Sequence, residues 1–217
     1  MRTLLTIVFI VSVMSVVGSS AQTQFSMYGF SYFTPPEGVG TVTTVVGRLE
    51  PPVGFSYPIS LDFTNNEYTF YFQTTITSVT PGPLTTTYVY ANAALCIYED
   101  PSKNSNYGVS PPNATSPSTF RDGTLILSGT LSGLTRLDDN MGFQEPSIVG
   151  TCDFAGGTRL GDLTVTDWTY HGGLSTNPSL GIPFGYRHRW ATKMVPATPV
   201  TVEETTWGAL KSLYDHR

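Results

Sequence analysis

The sequence predicts an all-β domain, an antiparallel β-sandwich or β-barrel of about nine short strands. Three observations carry this. From Gln24 to about Val195 apolar residues recur with period two, the spacing of a half-buried strand rather than the 3.6 of a helix. Stretches such as Thr34-Pro35-Pro36-Glu37-Gly38, Thr80-Pro81-Gly82-Pro83 and Arg121-Asp122-Gly123 interrupt the pattern where a strand cannot continue. No long helical pattern lies between them.

The first element is an export leader. Met1-Arg2-Thr3 forms a short basic end, Leu4 to Val17 an apolar run, and Gly18-Ser19-Ser20-Ala21 a set of small residues, the three parts of a secretory signal peptide. Ser19 and Ala21 place the cut after Ala21. The division expected is therefore a signal peptide over 1–21, an all-β domain over 22–195, and a Pro-rich linker with a short amphipathic tail over 196–217. The apolar run is shorter than the ~20 residues of a spanning helix and contains Ser12 and Ser15, so it reads as a leader and not as an anchor. No later stretch is apolar enough for a transmembrane helix, and no Cys follows the run to carry a bacterial lipid. The location expected is secreted, periplasmic or cell-surface.

Strands are then predicted at Phe25–Phe33, Thr41–Leu49 and Tyr57–Phe63. In Tyr68–Ile76, residues Tyr68, Phe70, Phe72 and Ile76 share one face, with Thr69, Tyr71, Gln73 and Thr75 on the other. Leu84–Tyr98 sets Val89, Ala91, Ala93, Leu95 and Ile97 against Tyr88, Tyr90, Asn92, Cys96 and Tyr98. Both sides are partly apolar, so this strand is central or lines a cavity. Pro101–Ser118, rich in Ser, Asn and Pro, is long for a loop and reads as functional or poorly ordered. Its Asn113-Ala114-Thr115 is a glycosylation sequon, relevant in a eukaryotic source.

Thr124–Leu131, Ser147–Phe154, Leu163–Tyr170 and Tyr186–Val195 complete the strands. Phe154-Ala155-Gly156-Gly157 and Tyr170-His171-Gly172-Gly173 repeat an aromatic-x-Gly-Gly unit. The repeat predicts equivalent strand ends, with the glycines supplying positive φ. Pro196-Ala197-Thr198-Pro199 is a stiff linker. Beyond it Trp207, Leu210, Leu213 and Tyr214 stand at helical spacing behind Thr206 as N-cap, predicting a short C-terminal helix. The run Trp207-Gly208-Ala209-Leu210-Lys211 resembles the short W-G-x-x-K tails that end some secreted bacterial proteins. That resemblance covers the tail alone and implies a sorting or docking signal; the plainer reading is a helix folded back on the domain.

Composition excludes some functions. Arg2 is the one charged residue of the leader, so its removal takes the formal net charge from −5 to −6. An acidic chain does not suit nucleic acid, whose phosphates call for a basic surface. Charged residues make up 12% of the chain, and Lys occurs only at 103, 193 and 211, so Thr, Ser, Asn, Gln and Gly must cover the surface. Cys96 and Cys152 are the only cysteines, and in an oxidising compartment they are expected to form a disulfide. In the chain-entropy account that link contributes about 4 kcal/mol.

Catalytic and metal signatures are missing. His171, His188 and His216 form no H-x-H or H-E-x-x-H spacing, so no zinc or iron site, no metal and no cofactor is expected. His188 alternates with Tyr186 and Trp190 and is expected to pack in an aromatic face. No G-x-S-x-G elbow is present. Asp138-Asp139-Asn140, with Glu145 near, reads as a turn whose Asx side chains bond their own backbone; a weak calcium site and one carboxylate of a glycosidase pair are the competing readings.

Two features lean toward binding. Tyr88, Tyr90 and Tyr98 share a predicted face with Asn92, suited to stacking on a sugar, to lining an apolar pocket, or to plain core packing. Arg187, Arg189 and Lys193 alternate on another strand as a basic stripe, a grip for a sulfated or carboxylated glycan or a solvated outer face. The function expected is a secreted non-catalytic β-domain with a structural, adhesive or glycan-contacting role at the cell envelope. A barrel for a small apolar ligand and a hydrolase or cyclase on a β-scaffold are the alternatives. An outer-membrane barrel fits poorly, since the chain ends Asp215-His216-Arg217 without a final aromatic residue.

Overall fold

The computed structural model describes residues 22–108 and 118–197. The leader, the Asn113 sequon and the expected tail helix lie outside them. The strands are β1 (Gln22–Thr23), β2 (Phe25–Tyr32), β3 (Val42–Leu49), β4 (Phe55–Ser56), β5 (Glu67–Pro81), β6 (Thr85–Tyr90), β7 (Ala93–Asp100), β8 (Thr124–Asp139), β9 (Ser147–Gly156), β10 (Asp167–Ser175) and β11 (His188–Pro196). Of the two architectures the sequence allows, the barrel is the one formed. Neighbours pair antiparallel in the order β3-β2-β11-β10-β9-β8-β6-β5-β7, and pairings of β3 with β5 and of β8 with β7 close the ring. Closure leaves no unpaired edge on the main sheet.

The barrel has eight antiparallel strands and one extra. β6 and β7 are two lengths of one bent strand between β5 and β8. β6 pairs with Ile76–Pro81 of β5 and Thr135–Asp139 of β8, and β7 with the earlier halves of both. At the bend the side-chain alternation slips by one, so that Tyr90 and Ala93 are both buried. β8 slips at the same level: Gly133, at φ 61°, sits in a bulge between Ser132 and Thr135, and Leu131 and Leu134 both point inward. The two slips adjoin, so inside and outside stay consistent around the wall.

One end of the interior is apolar. Phe25 packs against Tyr57, Phe154 and Trp168 at ring separations of 5.8, 5.7 and 5.1 Å. Full burial of each such side chain is worth roughly 1.5–3 kcal/mol. The predicted strand Tyr57–Phe63 does not form. Only Phe55–Ser56 pairs, with β1 and in parallel, and Tyr57, Ile59, Leu61 and Phe63 then cap this end. Their alternation is that of an extended stopper, which repeats every second residue without ladder partners. Midway along the barrel Gly29 and Gly47 face each other in register on β2 and β3, and the Phe70 ring fills the space they leave.

The described parts of the long 101–123 connection are packed, not loose. Tyr107 inserts on the outer wall between Phe30 (4.9 Å) and Phe120 (4.8 Å), under the Arg48 guanidinium. Ser105 donates from its backbone N–H and its hydroxyl to the two Glu67 carboxylate oxygens, each at 2.6 Å.

The disulfide expected between Cys96 and Cys152 is absent, and both thiols are free. Strand parity explains it. Cys152 points into the barrel, whereas Cys96 lies between inward Leu95 and Ile97 and so points outward. The barrel wall separates them. Burial pushes the Cys152 thiol up to about 12. In the native protein Cys96 should be alkylated first and Cys152 only in denaturant, and reductant should leave the unfolding midpoint unchanged. A mass two hydrogens light before reduction would contradict this arrangement.

The aromatic-Gly-Gly echo does not mark equivalent ends either. Gly156 ends β9, with Gly157 just past it at φ 103°, but Gly172 and Gly173 lie within β10. Gly172 is needed there because a side chain would strike the backbone of Ala191 and Thr192 on β11.

Candidate functional site

The other end of the interior is polar. β8 runs past the predicted boundary at Leu131 to Asp139, and after the Gly133 bulge it directs Leu134, Arg136 and Asp138 inward. The Arg136 side chain is 2% exposed. Its Nε donates to Asp138 at 2.8 Å and Nη2 to the other Asp138 oxygen at 3.0 Å. Nη1 and Nη2 reach the two Glu37 oxygens at 2.6 and 2.9 Å, and Nη1 also reaches the Tyr90 hydroxyl at 3.1 Å. These bonds use all five guanidinium N–H groups. The Tyr88 ring lies beneath the guanidinium, 3.9 Å from its carbon. Glu37 comes from the β2–β3 connection, which crosses this end beside the cis Pro35-Pro36 bond. Phe33 packs on His188 at 5.2 Å.

Below this cluster lies a band of buried polar atoms with no hydrogen-bond partner among the described residues. They are Ser31 Oγ, Thr43 Oγ1, Tyr170 OH, His188 Nδ1, Trp190 Nε1 and Thr192 Oγ1. All belong to residues at most 6% exposed. By register Ser31 is opposite His188, Trp190 and Thr192 follow His188 along one face of β11, Tyr170 is opposite Met194, and Thr43 is opposite Thr74 on β5. The Tyr170 and Thr192 hydroxyls lie close without reaching hydrogen-bond geometry. An unpaired buried polar group costs about 1–3 kcal/mol, so six together are expensive unless something bonds them.

His188 is held neutral. Burial first, then the Arg136 charge, lowers its pKa to about 4; Glu37 opposes this and Arg187 adds to it. Asp138 moves upward, chiefly through burial, against the pull of Arg136. Because the folded protein resists protonating His188 while the unfolded chain accepts it near 6.5, stability should fall as pH drops from about 6.5 to about 4. The full effect is about 3 kcal/mol. Asp138, whose pKa moves the other way, contributes with the opposite sign. His188→Asn should flatten the profile over that window in urea titrations at successive pH values; an unchanged slope would refute the assignment.

The sequence-derived candidates are divided by the wall. Tyr88 and Tyr90 belong to the Arg136 cluster. Tyr98, past the slip, faces outward beside Cys96 and Arg121, and Asn92 is exposed at the bend, so the four do not form one face. His188 packs on the Phe33 ring and shares its inward face with Trp190, whereas Tyr186, expected on the same face, joins Phe30 and Phe120 in the outer cluster. Asp139 makes the turn, accepting backbone N–H bonds from Met141, Phe143 and Gln144 at 2.8, 2.8 and 2.9 Å. Asp138 instead faces inward and also lines a surface cleft of about 430 Å³ with Phe143, Glu145 and Asn177. Arg187 is exposed, Arg189 and Lys193 are half-buried on the outer wall, and none forms an ion pair among the described residues.

Arg136, Glu37 and the band on β2, β3, β10 and β11 were missed by sequence reasoning. One signal was available: Arg136 and Asp138, two apart in a strand, share a face. Comparison of the chain with family models, with curated proteins and with solved structures finds no match.

Proposed function

We propose that the chain is an exported, non-catalytic binding barrel that holds a small polar ligand against the band below Arg136. The observation that carries this reading is the set of six buried polar atoms on the inward faces of β2, β3, β10 and β11 that have no hydrogen-bond partner among the described residues. The leader pattern at residues 1–21 supports export. An apolar ligand suits the site less well, since aliphatic and aromatic side chains already occupy the apolar end. Catalysis gains no support from Glu37 and Asp138, because both carboxylates are engaged by Arg136.

The test uses near-isosteric replacement. Thr43→Val with Thr192→Val removes two unpartnered hydroxyls, so the free protein should become more stable by about 2–6 kcal/mol while losing ligand. Saturation-transfer NMR with a mixture of sugars, amino acids and carboxylic acids should give protein-dependent signals that the double variant lacks. Silence from the whole mixture, or equal signals from both proteins, rejects the reading.

A second reading rests on the outer wall. Arg187 and Arg189, without ion pairs among the described residues, would suit an anionic envelope glycan. Salt-sensitive retention on a sulfated polysaccharide column, abolished by Arg187→Ala with Arg189→Ala, would support it; retention unchanged by the substitutions would remove it.

A further inference from the structure

We infer that the polar end of the barrel docks on a lipid surface with zwitterionic headgroups, inserting the apolar tips of its strand connections. The inference is independent of the ligand reading above.

Topology gathers these tips. Neighbouring strands alternate in direction, so the β2–β3, β5–β6, β8–β9 and β10–β11 connections all emerge at the end that holds Arg136. Of the six most exposed large apolar side chains among the described residues, five stand on these connections: Val39, Leu84, Met141, Phe143 and Phe184. Phe143 is 82% exposed and Phe184 88%. The sixth, Val53, follows β3 at the opposite end. Single apolar residues scattered on a surface are ordinary, but a set collected at one end marks a contact face.

Hydrogen bonds hold the tips out in water. Asp139 accepts three backbone N–H bonds beneath Met141 and Phe143. Asn140 ties that loop to the β5–β6 turn, donating to the carbonyls of Leu84 at 2.9 Å and Gly82 at 2.8 Å. Phe184 stands two residues before Tyr186, which is anchored in the outer aromatic cluster. The tips therefore cannot simply fold back on the barrel, and a covering apolar phase would stabilise them.

Shape and charge say what that phase is. Hollows of about 430 and 410 Å³ flank Phe143 and Phe184, so the tips are separate prongs. A flat, rigid partner would bridge the hollows, whereas lipid conforms to each prong. Glu37 and Asp138 are already bonded by Arg136, which leaves Glu145 exposed beside Phe143 and Arg187 exposed near Phe184. Both signs thus border the apolar tips, as suits the ammonium and phosphate of a zwitterionic headgroup. An anionic bilayer would call for a basic cluster, and none of the four connections carries a Lys. Residues 198–217 are a poorer occupant, because β11 delivers the chain to the opposite end at Pro196.

The experiment measures co-sedimentation of the secreted chain, tail included, with phosphatidylcholine vesicles. Phe143→Ser with Phe184→Ser should lower the partition at least tenfold without moving the unfolding midpoint, and Val53→Ser should leave it within twofold. Brominated phosphatidylcholine should quench the added indole of Phe184→Trp and spare that of Val53→Trp. Failure to bind phosphatidylcholine, or binding that the double variant retains, overturns the inference. So does binding that appears only when phosphatidylglycerol is mixed in, which would assign the contact to basic residues. A dimer of the free protein that the double variant dissociates, without vesicle binding, would make this end an interface between two copies and also overturn it.

Discussion

Arg136→Ala is expected to destabilise the barrel by about 3–5 kcal/mol at neutral pH, because it leaves Glu37 and Asp138 partly buried without their cation. Arg136→Lys should recover little. Three donors on a flexible stem cannot reproduce five bonds from one planar group to Glu37, Asp138 and Tyr90. Replacing all three charged groups together, as Arg136→Met with Glu37→Gln and Asp138→Asn, should be milder than Arg136→Ala alone, since no buried charge is then orphaned. Guanidinium midpoints of the variants measure the order. A loss below about 1 kcal/mol for Arg136→Ala would show that the cluster behaves like a solvated surface pair.

Gly47→Ala is expected to be the other large effect. A methyl group there would stand 2.5 Å from the Phe70 ring and closer still to the Tyr28 carbonyl oxygen. Overpacking of this kind costs about 1–3 kcal/mol, and more where backbone must move. Phe70→Leu should cost less in the Gly47→Ala protein than in the wild type, because the shorter side chain relieves the clash as it leaves a gap. The remaining cost comes from the Tyr28 carbonyl. A double-mutant cycle measures this coupling, and strictly additive costs would dismiss the Phe70 contact as the cause.

These two sites also show what a sequence makes visible in a barrel. The alternation of Tyr68, Phe70, Phe72 and Ile76 is local, and the observed strand keeps it. The difference between sandwich and barrel lies in whether β3 meets β5 and β2 meets β11, which no local pattern encodes. The tyrosine face failed at the bend near Asn92, where one slipped residue sends Tyr90 inward and Tyr98 outward. The disulfide failed on the same parity. Tyr57–Phe63 showed a genuine period of two but had no partner strand, so the period reported burial and not pairing. Glu37 and Arg136 lie 99 residues apart, with β3 to β7 and most of β8 between them, and only the closed wall brings them together. Their chemistry was legible residue by residue; their meeting was not.

Closure by the first and last long strands carries a consequence for how this chain is made. Phe25 opposes Met194, so the seam between β2 and β11 joins the two ends of the domain. Until His188–Pro196 has been synthesised, β2 and β10 each present an open edge, and the Phe25 and Trp168 rings lack one wall of their enclosure. Such a polypeptide cannot complete its fold while it is still growing, and its most distant contacts form last. The same seam makes the domain intolerant of truncation: removing β11 would leave a sheet with two sticky margins.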